Sequence, residues 1–212
     1  MTDGSRDRIA AWDRLREGTL TLTGKRAKLV PMAASHSEGL YEASRNPEIW
    51  TYMTLPMRDP ADMERLVREA LQARAQGSEF PFVIVDQETE RIVGSTRFME
   101  ITPAHRALEI GWTWLSPDVW RTRINTECKY LLLSYGFETL QAIRIQLKTD
   151  SRNLRSQQAI ERLGAVREGV LRHHRLLPDG YRRDTVYFSI LEAEWPAIKA
   201  RLEHFLALGV GR

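Results

Sequence analysis

The sequence has little of several features that mark other classes of protein. Its single cysteine, Cys128, excludes a disulfide within the chain and a zinc site built from several thiolates, and it favours a reducing compartment. No stretch approaches the roughly 18 uninterrupted apolar residues that a membrane span needs. Residues 1–16 carry acids and bases throughout and contain no apolar run, so we expect no secretory signal. These absences predict a soluble, cytoplasmic protein with no membrane partner.

The excess of positive over negative charge is also small. The 31 Lys and Arg residues against 28 Asp and Glu give a net charge of +3, and the two signs are interspersed, so we expect no nucleic-acid partner. With 42% hydrophobic and 28% charged residues over 212 positions, the composition excludes a disordered chain. The length predicts a single domain over residues 19–212 and an amphipathic extension over residues 1–18.

That extension has a helical pattern over residues 5–17. Ser5 is a possible N-cap, and Ile9, Trp12 and Leu15 recur at helical spacing. We expect a short helix that packs on the domain or on a second subunit, in which case the protein would be a homodimer. The alternative is a membrane-surface helix, but the apolar face is too small for firm anchoring.

The hydrophobic period along the rest of the chain alternates between helix and strand. Helices are predicted over 35–46, 59–76, 121–139, 153–163 and 192–207. Two short strand pieces are predicted within 19–31, and longer strands over 80–86, 91–100, 107–115, 142–150, 166–175 and 182–190. Strands in succession followed by a strand–helix–strand–helix order predict an α+β fold around a mixed sheet.

The most informative segment is the transition from strand to helix after Leu115. A short loop holding Arg121 and Arg123 precedes the long predicted helix, and the amides at a helix N-terminus attract anions. This arrangement suits a pyrophosphate. The alternative is that the loop only leads into the helix, as in many α/β proteins.

Four segments together resemble the GNAT N-acetyltransferase superfamily, in particular the branch of ribosomal-protein-alanine N-acetyltransferases. They are LTGKRAKLVPM, EIGWTWLSPDVW, NLRSQQAIERLGA and EWPAIKARL, and the resemblance runs from about residue 20 to residue 200. It implies a mostly antiparallel sheet of about seven strands, flanked by helices, with strands that splay apart at a cofactor cleft. It also implies acetyl transfer from acetyl-CoA, as co-substrate, to an amine of a small molecule or of a protein N-terminus, without a metal.

The resemblance also implies roles for individual residues. Trp114 and Leu115 would offer backbone groups to pantetheine, Asn153 would bind the same arm, and Ser156 would lie near the thioester sulfur. The loop around the pyrophosphate would consist of Arg121, Thr122, Arg123, Ile124, Asn125 and Thr126. The oxyanion of the reaction requires a fixed N–H donor, which the Leu115 backbone could supply.

The sequence departs from the family pattern at three positions. Arg123 stands where the family usually has Gly, and Asn125 stands where it has Gly or Ala. The arginine could crowd the phosphates, or it could bind them as a bidentate donor. Ile160 stands where many members have a Tyr that protonates the thiolate, so Ser156 or a water would have to serve. These departures leave open a non-catalytic CoA-binding or regulatory protein as the alternative.

A general base is needed because amines are mostly protonated near pH 7. Glu109 lies among apolar strand residues and matches a frequent acidic position of the branch, although a salt-bridged strand carboxylate is the alternative. His105, His173 and His174 are further candidates with a suitable ordinary pKa. Asp150 is interpreted as ordering the turn before Asn153.

Two remaining features have structural and functional interpretations. The stretch over residues 171–184 is rich in Arg and His and could bind an acidic substrate or RNA. The alternative is a solvated hairpin whose arginines pair with Asp179, Asp184 and Glu168. Cys128 falls on the apolar face of its predicted helix, so we expect a buried, inert thiol and not an acyl-carrying nucleophile.

Overall fold

The computed structural model describes residues 11–13, 15, 17–177 and 179–209. The predicted helix over 5–17 lies partly outside these residues, as do Ser5 and Ile9. Residues 11–13, 15 and 17 are helical, and Ala11, Trp12 and Leu15 are buried in the main core. The described part of the extension therefore packs on the domain.

One sheet of eight strands forms the centre of the molecule, where about seven were expected. The strands are β1 (Leu22–Thr23), β2 (Ala27–Pro31), β3 (Phe80–Asp86), β4 (Arg91–Thr102), β5 (Ala107–Leu115), β6 (Arg144–Asp150), β7 (Val166–Leu176) and β8 (Arg182–Leu191). Their spatial order is β1-β2-β3-β4-β5-β6-β8-β7. Every neighbouring pair is antiparallel except β5 and β6, which are parallel.

Besides the helical residues near the start, the described part of the chain has five helices beside the sheet: α1 (Ser37–Ala43), α2 (Pro60–Ala75), α3 (Ile124–Ser134), α4 (Leu154–Leu163) and α5 (Trp195–Ala207). The Asp59 carboxylate caps α2 by accepting the N–H of Asp62, and Gly164 ends α4 at a φ of 107°. The long helix predicted over 121–139 was too long at its start. It begins at Ile124, and its last five residues, Tyr135–Thr139, are wound as a π-helix.

Alternating side chains give the sheet two buried faces. Phe82 and Ile84 face one core, which also contains the apolar sides of α3, α4 and α5. Val83 faces the other, with the buried residues of α1 and α2. Both faces are covered, so the sheet can open toward ligands only where its strands separate.

The strands separate between β5 and β6. Their register pairs run only from Ala107 with Arg144 to Glu109 with Gln146, whereas β5 continues beside β4 as far as Leu115. The register of β4 with β5 shifts after Ser95, and Trp112 has a φ of 48°. A bulge of this kind increases twist and turns a strand away from its neighbour. The expected splay of strands is confirmed.

Candidate active site

The separated strands open into a cavity of about 1080 Å³. Its walls come from β5 and β6, from the loop before α3, from one face of α4, and from the ends of β7 and β8. Several of the predicted site residues line it, namely Glu109, Trp114, Leu115, Arg121, Thr122, Asn125, Asn153 and Ser156. The fold therefore brings together residues that lie up to 47 positions apart in sequence.

Glu109 lies at the last register pair before the strands diverge, and it is buried although it lines the cavity. Its Oε2 is 2.8 Å from Lys148 Nζ and accepts a hydrogen bond from Gln146 Nε2 at 3.0 Å. Burial raises the pKa of the Glu109 carboxyl, and the Lys148 ammonium opposes that rise without cancelling it. Glu109 is thus both a salt-bridged strand carboxylate and a wall of the cavity.

Backbone geometry distinguishes the two residues predicted to contact pantetheine. Ser116 N–H donates to the Val93 carbonyl at 2.7 Å. Because antiparallel pairs alternate, the Leu115 amide faces away from β4, toward the cavity. Leu115 pairs with Gly94 without these bonds, and the next pair, Trp114 with Ser95, is again of the hydrogen-bonded kind, so the Trp114 backbone groups face β4. The Leu115 carbonyl already accepts a hydrogen bond from Trp120 Nε1 at 2.8 Å, so the N–H is the backbone group that Leu115 can offer to a ligand.

The loop before α3 presents only some of its residues to the cavity. Arg121, Thr122 and Asn125 line it, and Arg121 has a φ of 60°. Thr122 Oγ1 accepts the N–H of Ile124 at 3.3 Å. The next amides, in the first turn of α3, have no partner within the helix. This combination can bind an anion.

Arg123 is turned away from the cavity. Its Nη2 lies 3.9 Å from Oε1 of Glu127, one turn further along the helix. The Arg123 guanidinium therefore neither plugs the cavity nor points at a ligand within it.

Two further residues of the predicted loop do not line the cavity either. Ile124 is fully buried in the main core, and Thr126 Oγ1 accepts a hydrogen bond from Arg162 Nη2 at 2.6 Å.

Glu127 explains the orientation of Arg123. Its carboxylate accepts the backbone N–H groups of Lys25, Arg26 and Ala27, at 2.6–2.8 Å. A buried carboxylate with three N–H donors is firmly held. It attaches α3 to the start of β2 and provides a negative partner that draws Arg123 to this side of the helix.

The opposite wall is formed by the start of α4. Asn153 is its N-cap, and its Oδ1 accepts the N–H of Ser156 at 3.0 Å. The Asn153 amide group keeps its two N–H donors for a ligand. Ile160 follows Ser156 by one turn and adds an apolar patch to the same wall.

Sequence reasoning missed two lysines of the cavity. Lys148 holds Glu109 as described, and Lys129 lies on α3 with only 6% of its surface exposed. Lys129 Nζ donates to Thr113 Oγ1 at 2.7 Å, and among the described residues no carboxylate oxygen lies within 4.0 Å of it. Burial lowers the pKa of Lys129 to about 8. A lysine within the otherwise uncharged CKYLLL run was the signal in the sequence.

The other candidates are dispersed. His105 and His173 lie outside the set of lining residues, whereas His174 belongs to it. Asp150 also lines the cavity, where its carboxylate accepts hydrogen bonds from the Arg152 guanidinium at 2.8 and 3.0 Å. Cys128 is buried as expected, and burial raises the pKa of its thiol to about 12.

The hairpin arginines are not paired as expected. Glu168 binds Arg144 of β6 through two hydrogen bonds of 2.6 Å. Asp184 accepts the backbone N–H of His173, and Asp179 accepts that of Tyr181. Each acid is thus used to shape the backbone or to join strands.

Two other kinds of site are absent from the described part of the chain. No helix within the described ranges is long and apolar enough to cross a membrane. Among the same residues, no three His, Cys, Asp or Glu side chains are grouped so that they could hold a metal ion.

The same fold is found in known proteins. Residues 26–166 match the family model of the acetyltransferase (GNAT) domain. A protein of T. thermophilus assigned as an acetyltransferase is 37% identical, with 88% of this chain and 96% of that chain covered and a TM-score of 0.79. The uncharacterized N-acetyltransferase p20 of Bacillus licheniformis is 27% identical over 82% of this chain and 98% of its own length.

A third relative is, like the predicted branch, a ribosomal-protein acetyltransferase. The ribosomal-protein-serine acetyltransferase of Escherichia coli is 22% identical over 79% of this chain and 94% of its own length. The family match spans well over half of the chain. The chain therefore belongs to the GNAT family of acetyltransferases, and it is an acetyl-CoA-dependent acyltransferase.

Proposed function

We propose that the enzyme transfers the acetyl group of acetyl-CoA to a primary amine, of a protein N-terminus or of a small molecule, by direct attack. The observation that carries this proposal is the wedge between β5 and β6, which contains the Leu115 amide at one end and the Glu109 carboxylate at the other. An extended arm rich in amides suits an open strand edge. The name of the Escherichia coli relative, a ribosomal-protein-serine acetyltransferase, supports a protein as one class of acceptor.

The cofactor would be held along this wedge. Arg121, Thr122 and Asn125 would bind the pyrophosphate, together with backbone amides of the first turn of α3. The Leu115 N–H and the Asn153 amide group would bind pantetheine. Arg123 takes no part in this proposal, because its guanidinium lies beside Glu127.

Glu109 would act as the general base. Both of its hydrogen-bonded contacts use Oε2, so Oε1 is available to accept a proton from the attacking amine, directly or through water. The amine nitrogen forms a bond to the carbonyl carbon, and the carbon–sulfur bond breaks. The raised pKa of Glu109 makes its carboxylate a stronger base, closer in pKa to the amine from which it takes the proton.

The leaving thiolate would take a proton from Ser156 or from water, since Ile160 has none to give. Lys129 lines the same cavity as a cation without a carboxylate partner among the described residues, and it would stabilise negative charge that develops on sulfur. We also propose that residues 19–212 form the catalytic domain, with residues 1–18 as an extension.

The test is incubation with acetyl-CoA and a panel of small and peptidic amines, read by release of the free thiol. Thermal unfolding with and without CoA is measured in parallel. Turnover with at least one amine and a rise in Tm with CoA are expected. A rise in Tm without turnover would favour the non-catalytic CoA-binding alternative. If there is neither turnover nor a rise in Tm, both the enzymatic proposal and this alternative are overturned.

A further inference from the structure

A group of basic side chains lies in the same cavity but plays no part in the proposed acetyl transfer. It consists of His174 and Arg175 on β7 and Arg183 on β8, and we refer to it as the basic corner. Among the described residues, the whole cavity is lined by seven Lys or Arg and only three Asp or Glu. The cavity therefore favours ligands with negative charge.

A bulge directs the basic corner inward. The register of β7 with β8 jumps from Leu171 with Thr185 to Arg175 with Arg183, and His173 has a φ of 49°. The Asp184 carboxylate holds the bulge by accepting the N–H of His173 at 2.7 Å. Successive residues of a regular strand point to opposite faces, and bulges redirect them. Here His174 and Arg175 both line the cavity.

Arg183 is only partly neutralised. Its side chain is 12% exposed, and its Nε lies 3.9 Å from Asp150 Oδ2, an oxygen that already accepts a hydrogen bond from Arg152 at 2.8 Å. Arg183 Nη1 donates to the Tyr52 carbonyl at 3.4 Å. Among the described residues, Arg183 Nε has no hydrogen-bond partner. Buried donors without partners are rare because each costs free energy, which a ligand can recover.

His174 shows the same deficit. Its Nδ1 is buried without a hydrogen-bond partner among the described residues. Burial lowers the pKa of His174, and the nearby cations Arg175, Lys148 and Arg183 lower it further. The surroundings of this ring are therefore positively charged. The ring centroids of His174 and Tyr187 are 5.8 Å apart, and Lys148 Nζ lies 5.6 Å from the same Tyr187 ring. Because Lys148 also contacts Glu109, the basic corner lies on the side of the proposed base.

We propose that the basic corner binds a carboxylate of the acceptor, so that the substrate is a primary amine with an acidic group close to its nitrogen. This inference rests on the proposed function. Arg183 and Arg175 bind the carboxylate as charged donors, and His174 adds a neutral N–H. The nitrogen of the same molecule then faces Glu109. Such an amine is either a free amino acid or an acidic residue at a peptide N-terminus.

Matched pairs of acceptors test this inference. Free alanine is compared with alaninamide, which lacks the carboxylate next to the amine, and a peptide beginning with Glu is compared with the same peptide beginning with Gln, by thiol release. The member with the additional carboxylate is expected to have a kcat/KM about tenfold higher in at least one pair. The pair that shows the preference distinguishes the free amino acid from the peptide. Equal values in both pairs would overturn the inference while leaving the proposed function intact.

Variants locate the effect. Arg183→Met and, separately, the exposed Arg175→Met are expected to reduce the preference about tenfold, whereas Arg172→Met, exposed on the same strand, retains it. A rise in KM for acetyl-CoA without a change in preference would assign the basic corner to cofactor phosphates and would overturn the inference.

Binding provides a readout that does not depend on turnover. Calorimetry of the same pairs, on protein saturated with CoA, should show tighter binding of the carboxylate member. Absence of this difference would also contradict the inference.

Discussion

Lys148 Nζ lies 2.8 Å from Glu109 Oε2 at the point where the only parallel strand pair of the described sheet ends. The cation favours the ionised form of this buried carboxylate, whereas burial favours its protonated form. The result is a carboxylate with a raised pKa that is fixed in place by a neighbouring strand. This pair connects the architecture of the sheet to the proposed chemistry.

Glu109→Gln should lower kcat by roughly 100-fold or more, because it removes the proposed proton acceptor but keeps the shape of the side chain. The pH profile gives a second signature. Glu109 accepts a proton only when ionised, so the wild-type rate should rise with pH through a pKa above that of an ordinary glutamate. The variant should lose this rise.

Glu100→Gln is the matched control, since exposed Glu100 also contacts Lys148 Nζ, at 2.8 Å. It should keep a kcat within about twofold of wild type, because surface ion pairs contribute little. Similar losses in both variants would mean that the charge balance around Lys148 matters, and not proton transfer by Glu109.

Arg121→Ala and Arg123→Ala should differ in their effect on acetyl-CoA. Arg121 lines the cavity and has a charged donor to offer a phosphate, so its loss should raise KM about tenfold. Arg123 lies beside Glu127, so its loss should change KM by about twofold or less. Steady-state kinetics at saturating amine measures both. A gain in cofactor affinity from Arg123→Gly would show that the arginine obstructs the site after all.

Glu127→Gln should destabilise the fold. Three backbone N–H groups converge on this buried carboxylate, and an amide side chain offers one neutral acceptor oxygen in place of two charged ones. We expect a loss of roughly 2–3 kcal/mol in the free energy of unfolding, measured with urea. The same change at exposed Glu161 serves as the control. Equal midpoints for the two variants would contradict the proposed anchoring of α3.

Lys129→Met should stabilise the protein at pH 7. Burial lowers the pKa of Lys129 from 10.5 to about 8, so the folded state disfavours a proton that the unfolded state retains. The cost at pH 7 is roughly 3 kcal/mol at most. Wild-type stability should therefore rise with pH between about 8 and 10.5, because the unfolded state binds more protons across that window.

In Lys129→Met this rise should be absent, so the advantage of the variant shrinks as the pH increases. Urea unfolding at pH 7 and pH 9.5 measures it, with Lys28→Met as the control for loss of a lysine. A variant less stable than wild type at pH 7 would show that the Thr113 hydrogen bond outweighs the cost of burial.

Local patterns in the sequence predicted most of the fold. The hydrophobic period indicated the core strands, and the helices predicted over 59–76 and 153–163 agree within one residue with α2 and α4. These features depend on neighbouring residues, which is why they can be read locally. The late start of α3 was missed because Arg121 adopts a left-handed conformation, which cannot be predicted from an arginine in the sequence.

The site was harder to predict because its contacts are distant in sequence. The direction of Arg123 depends on Glu127, which is fixed by amides about 100 residues away. The inward orientation of His174 depends on a bulge, and a bulge shifts register without leaving a clear mark on composition. Charge and spacing identified the loop, but only the folded chain determines which of its side chains enter the cavity.

The short contact between β5 and β6 has a mechanical consequence. The strands before it come from residues 22–115 and those after it from residues 144–191, and only three register pairs join these two halves within the described sheet. A ligand lying in the wedge acts as a brace between them. Binding of the co-substrate in the wedge should therefore slow the exchange of backbone amide hydrogens in both halves of the sheet together. The rigidity of the whole sheet would then depend on the concentration of the co-substrate.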